Sequence, residues 1–292
     1  MTEAFRTPDE RFADLPGFPF EPSYRTVQDL RLAHVETGDG PPVVMLHGEP
    51  AWSYIWRDVV PPVREAGYRC ILPDHVGFGR SDKPLDPGWH SPERHVEVTT
   101  SLLEELNLRD VTMVVHDWGG PIGLAVTLAT DRVARVVILD TVIDPREVWV
   151  SDLWVRFREF VESTSDFPAG EIMRATCSRD LDDEIVAAYD APFPTTESKA
   201  ALTGLPMSIP RPGSIDVAAT EGFCEALRAD PRPMMAIWGA DDLILSLASG
   251  ERLTASIGRR IDHVIPGASH GIQEDQGPTV GRLIVDWISS GP

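Results

Sequence analysis

Lysine is nearly absent from this 292-residue chain: Lys83 and Lys199 are the only two, and the other cationic side chains are arginines. The 46 acidic residues outnumber the 26 basic ones, for a formal net charge of −20 at pH 7. Such a chain repels polyanions, which argues against nucleic-acid or anionic-membrane partners and says nothing about fold. Cysteine is scarce too. Cys70, Cys177 and Cys224 are an odd number without metal-ligand spacing, which suits a reducing cytosol and indicates no metal site. No apolar run approaches the roughly 20 residues of a membrane-spanning helix. Residues 1–17 are polar and proline-bearing, without the apolar core of a secretory signal. Repeats and low-complexity tracts are missing. These absences predict a cytoplasmic protein, expected to be a monomer. Composition is otherwise that of a soluble globular enzyme, 42% hydrophobic and 25% charged. The length fits one large domain, or a core with an insert.

What the chain does have is a strand, a sharp turn and a helix in immediate succession. Val111-Thr112-Met113-Val114-Val115 reads as a buried strand, and Pro121 to Val126 as a helix with proline in its first turn. Between them lies His116-Asp117-Trp118-Gly119-Gly120. This is the layout of a nucleophile elbow with Asp117, not serine, at its apex, and with Val115 where the G-x-S-x-G form has its first glycine. Read alone, Asp117 as a helix cap is the better interpretation.

The surrounding chain alternates. Strands are predicted over 30–35, 42–46, 69–73 and 134–139, and helices over 52–60 and 92–107. Such an order predicts an α/β protein with a mostly parallel central sheet covered by helices on both faces. His47-Gly48-Glu49-Pro50, following the second strand, is either a loop that aims backbone N–H groups at an anion or an ordinary turn. From about Asp144 to Gly213 no buried strand is apparent. Val150, Leu153, Trp154, Phe157 and Val161 form one helical stripe, a second helix runs from the Ser178–Glu184 cap to Tyr189, and proline turns break the rest. Residues 144–213 are therefore expected to be a helical cap, with 1–143 and 214–292 forming the core. Strands resume at 233–238 and 261–265, with helices over 247–257 and up to Ile288.

Three loops that each follow a strand carry Asp117, Asp242 and His270. The ends of parallel strands are where such folds gather catalytic groups, and the order nucleophile, acid, histidine is that of the α/β-hydrolase fold. Asp242 is preferred to Asp241 because it stands three residues beyond the strand-ending Gly239. Gly267-Ala268-Ser269-His270-Gly271 also matches G-x-S-x-G, but no histidine follows it to serve Ser269. A carboxylate with a pKa of about 4 is already an anion at neutral pH, so Asp117 can attack an alkyl carbon directly and form an ester. His270 is then free to activate water, with Asp242 holding its tautomer and stabilising the imidazolium. Backbone N–H groups of Glu49 and Trp118 are the candidate oxyanion donors.

His47-Gly48-Glu49-Pro50, Gly77-Phe78-Gly79-Arg80-Ser81-Asp82-Lys83-Pro84, His116-Asp117-Trp118-Gly119-Gly120 and Ala191-Pro192-Phe193-Pro194 together resemble a haloalkane dehalogenase, as does Arg6-Thr7-Pro8-Asp9-Glu10-Arg11-Phe12. The resemblance covers nearly the whole chain and is greatest to the subfamily whose second halide-binding Trp lies in the cap. It implies hydrolysis of an alkyl halide to alcohol, halide and proton, with no cofactor. Trp118 suits halide binding, because an indole N–H only donates. For the second donor, an ionised Glu49 would repel the halide, which leaves Trp149 and Trp154; Trp154 shares the inward stripe and is the expected residue, with a plain core aromatic as the alternative. An epoxide hydrolase shares the fold and elbow but normally draws two acids from cap tyrosines, and Tyr189 is the one tyrosine within residues 144–213. A ligand receptor on the same scaffold is a non-enzymatic alternative. His116, Trp52, Trp56, Trp238, His263 and Cys70 are read as packing residues, with His116 pointing away from the site.

Overall fold

The computed structural model describes residues 2–143, 152–164, 166–211, 213–214 and 216–292. Among them, eight strands form the main sheet: β1 (Pro22–Val27), β2 (Leu30–Thr37), β3 (Pro42–Leu46), β4 (Arg69–Pro73), β5 (Val111–His116), β6 (Val133–Leu139), β7 (Met234–Gly239) and β8 (His263–Ile265). Their spatial order is β8-β7-β6-β5-β3-β4-β2-β1. From β8 to β4 every neighbouring pair is parallel, whereas β1 and β2 join antiparallel at one edge.

Successive side chains point to opposite faces. Val114, Val137 and Leu139 thus enter one apolar cluster while Met113, Val115, Val136 and Ile138 enter another. A parallel sheet covered on both faces needs apolar residues on both, which is why β3 and β5 read as runs and not as alternating patterns. The covering helices are α1 (Val60–Glu65), α2 (Pro92–Glu105), α3 (Gly119–Ala129), α4 (Asp152–Ser163), α5 (Ala169–Ala175), α6 (Asp183–Asp190), α7 (Ala200–Ser208), α8 (Val217–Ala229), α9 (Leu247–Ser256) and α10 (Ile272–Ser289). Val63 of α1 and Ile284 of α10 pack on the first face; Leu103 of α2, Ile122 of α3, Leu227 of α8 and Leu253 of α9 pack on the second. Trp52 and Trp56 belong to the first cluster and Trp238 to the second, all three fully buried.

Helices α4–α7 lie between β6 and β7 with no strand among the described residues. The motif segments fasten them to the sheet. Thr7 Oγ1 donates to the Pro192 carbonyl at 2.7 Å, Trp52 Nε1 to the Ala188 carbonyl at 3.1 Å, and the Phe78 and Phe193 rings meet edge-on at 6.3 Å. Arg6 in turn grips Asp82 with two hydrogen bonds of 2.7 and 2.9 Å.

Four local expectations change. Residues 52–60 are a 3₁₀ turn (Ser53–Trp56) and then the start of α1, because Pro61 and Pro62 lack an N–H and are tolerated only in a first turn. Strand β1 and helix α8 went unforeseen: the β1–β2 turn uses Gln28 and Asp29, both at positive φ, in place of the usual Asn-Gly pair. Strand β8 begins at His263, since the Asp262 carboxylate itself takes the Ala236 N–H at 3.0 Å; His263 is exposed on this edge. Along α4 burial rises toward its end, from Leu153 (39% exposed) to Val161 (3%), so Leu153 does not face the core. Trp149 and Val150 lie outside the described residues.

Candidate active site

Only two residues separate β5 from α3, and the chain turns through Asp117 at φ +48°. Such a conformation is uncommon for a residue other than glycine and concentrates at functional sites. Close backbone approaches permit it. A Cβ on Gly48 would collide with the Asp117 carboxylate, so only glycine lets the β3 loop lie against the elbow. The glycine missing at Val115 has a counterpart inside α3: a Cβ on Gly123 would strike the Val115 side chain. Thr141 Oγ1 donates to the Asp117 carbonyl at 2.6 Å and steadies the turn.

The three sequence-predicted loops converge. His270 Nε2 lies 3.5 Å from Asp117 Oδ2, and His270 Nδ1 lies 3.0 Å from Asp242 Oδ2. Asp242 is buried, and its Oδ1 accepts the N–H groups of Ile244 (2.7 Å) and Leu245 (2.8 Å), which fixes the carboxylate behind the imidazole. Asp241 is exposed and bonds the Gly267 N–H instead, at 3.1 Å. Burial opposes a charged His270, but Asp242 and the contact with Asp117 outweigh it and hold the imidazole well above the ordinary histidine range. Burial likewise opposes ionisation of Asp117; His270 and the Glu49 N–H overcome it and keep this carboxyl below its usual value.

Glu49 donates its backbone N–H to Asp117 Oδ1 at 2.8 Å. Trp118 is the residue before α3, but its backbone N–H makes no bond to Asp117 among the described residues. Its half-buried indole has no protein acceptor for its N–H among them. The Glu49 carboxyl corrects a premise. Both its oxygens are buried without a hydrogen bond, and burial, then the Asp117 charge, raise its pKa well above the normal range, which disfavours the anion assumed from the sequence. Trp154 is half-buried on α4 with its ring 5.8 Å from that of Phe157.

Sequence reasoning missed the groups that hold His270. His116 does not point away: its Nε2 donates to the His270 carbonyl at 2.8 Å. Glu274, four residues after His270, is buried among Arg57 (2.6 Å to Oε2), Arg179 (2.6 Å) and the Tyr189 hydroxyl. Asp275 takes the N–H groups of Ser178, Arg179 and Ser269. The helical insert and the histidine loop are thereby tied together. Ser269 is one of these ties and lies on the histidine loop, not at the elbow. An open cleft of about 420 Å³ lined by Met234, Arg259 and Asp262 lies at the start of β7, the wrong end of the sheet for this chemistry.

Residues 41–276 match the family described as alpha/beta hydrolase fold. The haloalkane dehalogenase of Mycolicibacterium paratuberculosis is 37% identical over 294 residues, covering 97% of both chains. Haloalkane dehalogenase 1 of Mycobacterium tuberculosis is 38% identical over 297 residues, covering 98% of each. Among solved structures, the tetrameric haloalkane dehalogenase DpaA from Paraglaciecola agarilytica superposes with a TM-score of 0.86 at 30% identity, over 96% of this chain and 97% of that one. With a parallel sheet, an aspartate at its elbow and relatives that match from end to end, the chain belongs to the haloalkane dehalogenases, hydrolases of carbon–halogen bonds on the α/β-hydrolase fold.

Proposed function

We propose that Asp117 is the nucleophile of this dehalogenase, His270 its base and Asp242 the acid behind the base. The observation that carries the assignment is the two-sided hold on one carboxylate: Glu49 N–H occupies Asp117 Oδ1 at 2.8 Å, leaving Oδ2 toward His270 Nε2 at 3.5 Å. Oδ2 attacks the halogen-bearing carbon from behind; the new C–O bond forms as the C–X pair departs with the halide. Alkylation also removes one of the two negative charges that support protonated His270, so a neutral imidazole becomes available in the step that needs it. His270 Nε2 then takes a proton from water, which attacks Cγ of the ester. Negative charge collects on Oδ1, where the Glu49 N–H is in place and the Trp118 N–H, at the positive end of α3, is the second donor. Collapse breaks the Cγ–O bond, and the leaving oxygen takes its proton from His270 to become the alcohol. The carboxyl left at Asp117 returns its proton to the imidazole. With the proton shed to solvent on alkylation, the net yield is alcohol, halide and proton.

The halide is assigned to the indole N–H groups of Trp118 and Trp154, and residues 144–213 to a cap that excludes water from the departing anion. The ties from Thr7, Trp52 and Asp275 to this insert support that division. Tyr189 favours halides over epoxides, because its hydroxyl is engaged by Glu274 and is not free to protonate an oxirane. Halide release from matched chloro-, bromo- and iodoalkanes, with a terminal epoxide as control, tests the reading. Turnover of the halides is expected; turnover of the epoxide alone would overturn it.

A further inference from the structure

A second carboxyl stands behind the catalytic loops. Asp140, the residue after β6, is fully buried and adopts φ +28°. Its carbonyl accepts the Asp117 N–H at 3.2 Å, and its Oδ1 accepts the Gly239 N–H at 2.9 Å. It therefore joins the strand end that precedes the elbow to the strand end that leads into Asp242. Its other oxygen, Oδ2, is buried and has no donor from the protein. The charged groups that act on it are Asp242 and His270.

Two adjacent carboxylates shielded from water cannot both ionise cheaply. Asp242 has two N–H groups on one oxygen and the imidazole on the other, whereas Asp140 has the single N–H of Gly239. We propose that Asp140 and Asp242 share one proton, resting on Asp140 Oδ2 and donated to the Asp242 carboxylate, so that a single negative charge stands behind His270. An orphaned acceptor thereby becomes a satisfied donor. Burial, then the charge of Asp242, drive the Asp140 carboxyl well above the usual aspartate range, which agrees. The consequence is catalytic. Two charges there would lock His270 as imidazolium even after Asp117 is alkylated, and water would have no base. Asp140 is a positioning residue that acts through Asp242.

The inference rests on the assignment of Asp242 and His270 above, but its test does not depend on the reaction. Difference infrared spectra at neutral pH between wild type and Asp140→Asn should show one protonated-carboxyl band lost; Glu49 contributes equally to both and cancels. No lost band overturns the proposal. Kinetics supply the second arm. Asparagine keeps an acceptor for Gly239 and a donor for Asp242, so Asp140→Asn should hydrolyse the ester within about threefold of wild type, while Asp140→Leu, which leaves both partners unmatched, should lose at least about tenfold. Equal impairment in both would mean that a negative charge at 140 is required, and contradicts the proposal. If Asp140→Asn fails to fold, Asp242→Asn should shift or remove the same band by taking away the carboxylate charge that keeps the proton on Asp140; an unmoved band counts against the pair.

Discussion

His116 donates its Nε2–H to the carbonyl oxygen of His270 across 2.8 Å, so the residue before Asp117 holds the backbone of His270. Burial keeps this imidazole neutral by pulling its pKa down to about 4, so the bond is insensitive to pH in the neutral range. Replacing it with His116→Phe leaves a buried carbonyl without a donor, at a cost of about 1–3 kcal/mol. Thermal melts should show that loss, and ester hydrolysis should slow more than ester formation. A variant with unchanged melting and unchanged hydrolysis would remove His116 from the machinery.

The Glu274 cluster makes a stability prediction with a definite sign. Burial disfavours its charge, but Arg57, Tyr189 and Arg179 more than compensate, and its pKa falls below the ordinary glutamate value. A group depressed on folding stabilises fully above its unfolded pKa, about 4.3, and loses that contribution as pH falls through its folded pKa. Glu274→Ala should cost about 3–5 kcal/mol at pH 7, because it strands the buried Arg57. Denaturant titrations at pH 7 and below pH 4 should show the gap between variant and wild type narrowing in acid; a constant gap would contradict the assignment.

Most of the framework was legible because burial on both faces writes itself into β3, β5 and β7 as apolar runs. The candidate triad was legible because Asp117 and Asp242 follow such runs and His270 follows the short strand β8. What failed had physical causes. Gln28-Asp29 makes a turn that usually advertises itself with glycine. Helix α8 does carry a start signal, Asp216, whose side chain caps the Ala219 N–H at 2.9 Å; a window read only for apolar runs passes over it. The glycine counted as missing at Val115 is supplied at Gly123, a tertiary complement invisible to a linear motif. The charge state of Glu49 and the roles of Asp140 and His116 depend on burial and on neighbours distant in sequence, so no local pattern could have revealed them.

The choice between adjacent carboxylates is checked by Asp241→Asn and Asp242→Asn. Asp241 is exposed and its carboxylate accepts the Gly267 N–H, away from His270, so its change should alter turnover by less than about threefold. Asp242→Asn should slow ester hydrolysis by at least about tenfold while sparing ester formation, since His270 has to take a proton from water only in the second step. Rapid-quench measurements of both steps decide, and the reverse pattern would reassign the acid.

Halide binding separates the tryptophans. Bromide quenches an indole it touches, so titrations of wild type, Trp118→Phe and Trp154→Phe by fluorescence should show weakened affinity in both variants. Unchanged affinity in a folded Trp154→Phe would limit the halide site to Trp118, and would direct attention to the buried Glu49 carboxyl as a candidate donor.

The central claim is that Asp117 carries the alkyl group between the two steps, and the most direct measurement is the intact mass of His270→Ala after incubation with a bromoalkane. Without its base the enzyme should still form the ester and fail to hydrolyse it. One added alkyl group, mapped by peptide sequencing to Asp117, is the predicted result; an adduct elsewhere, or continued release of bromide at the wild-type rate, would contradict it.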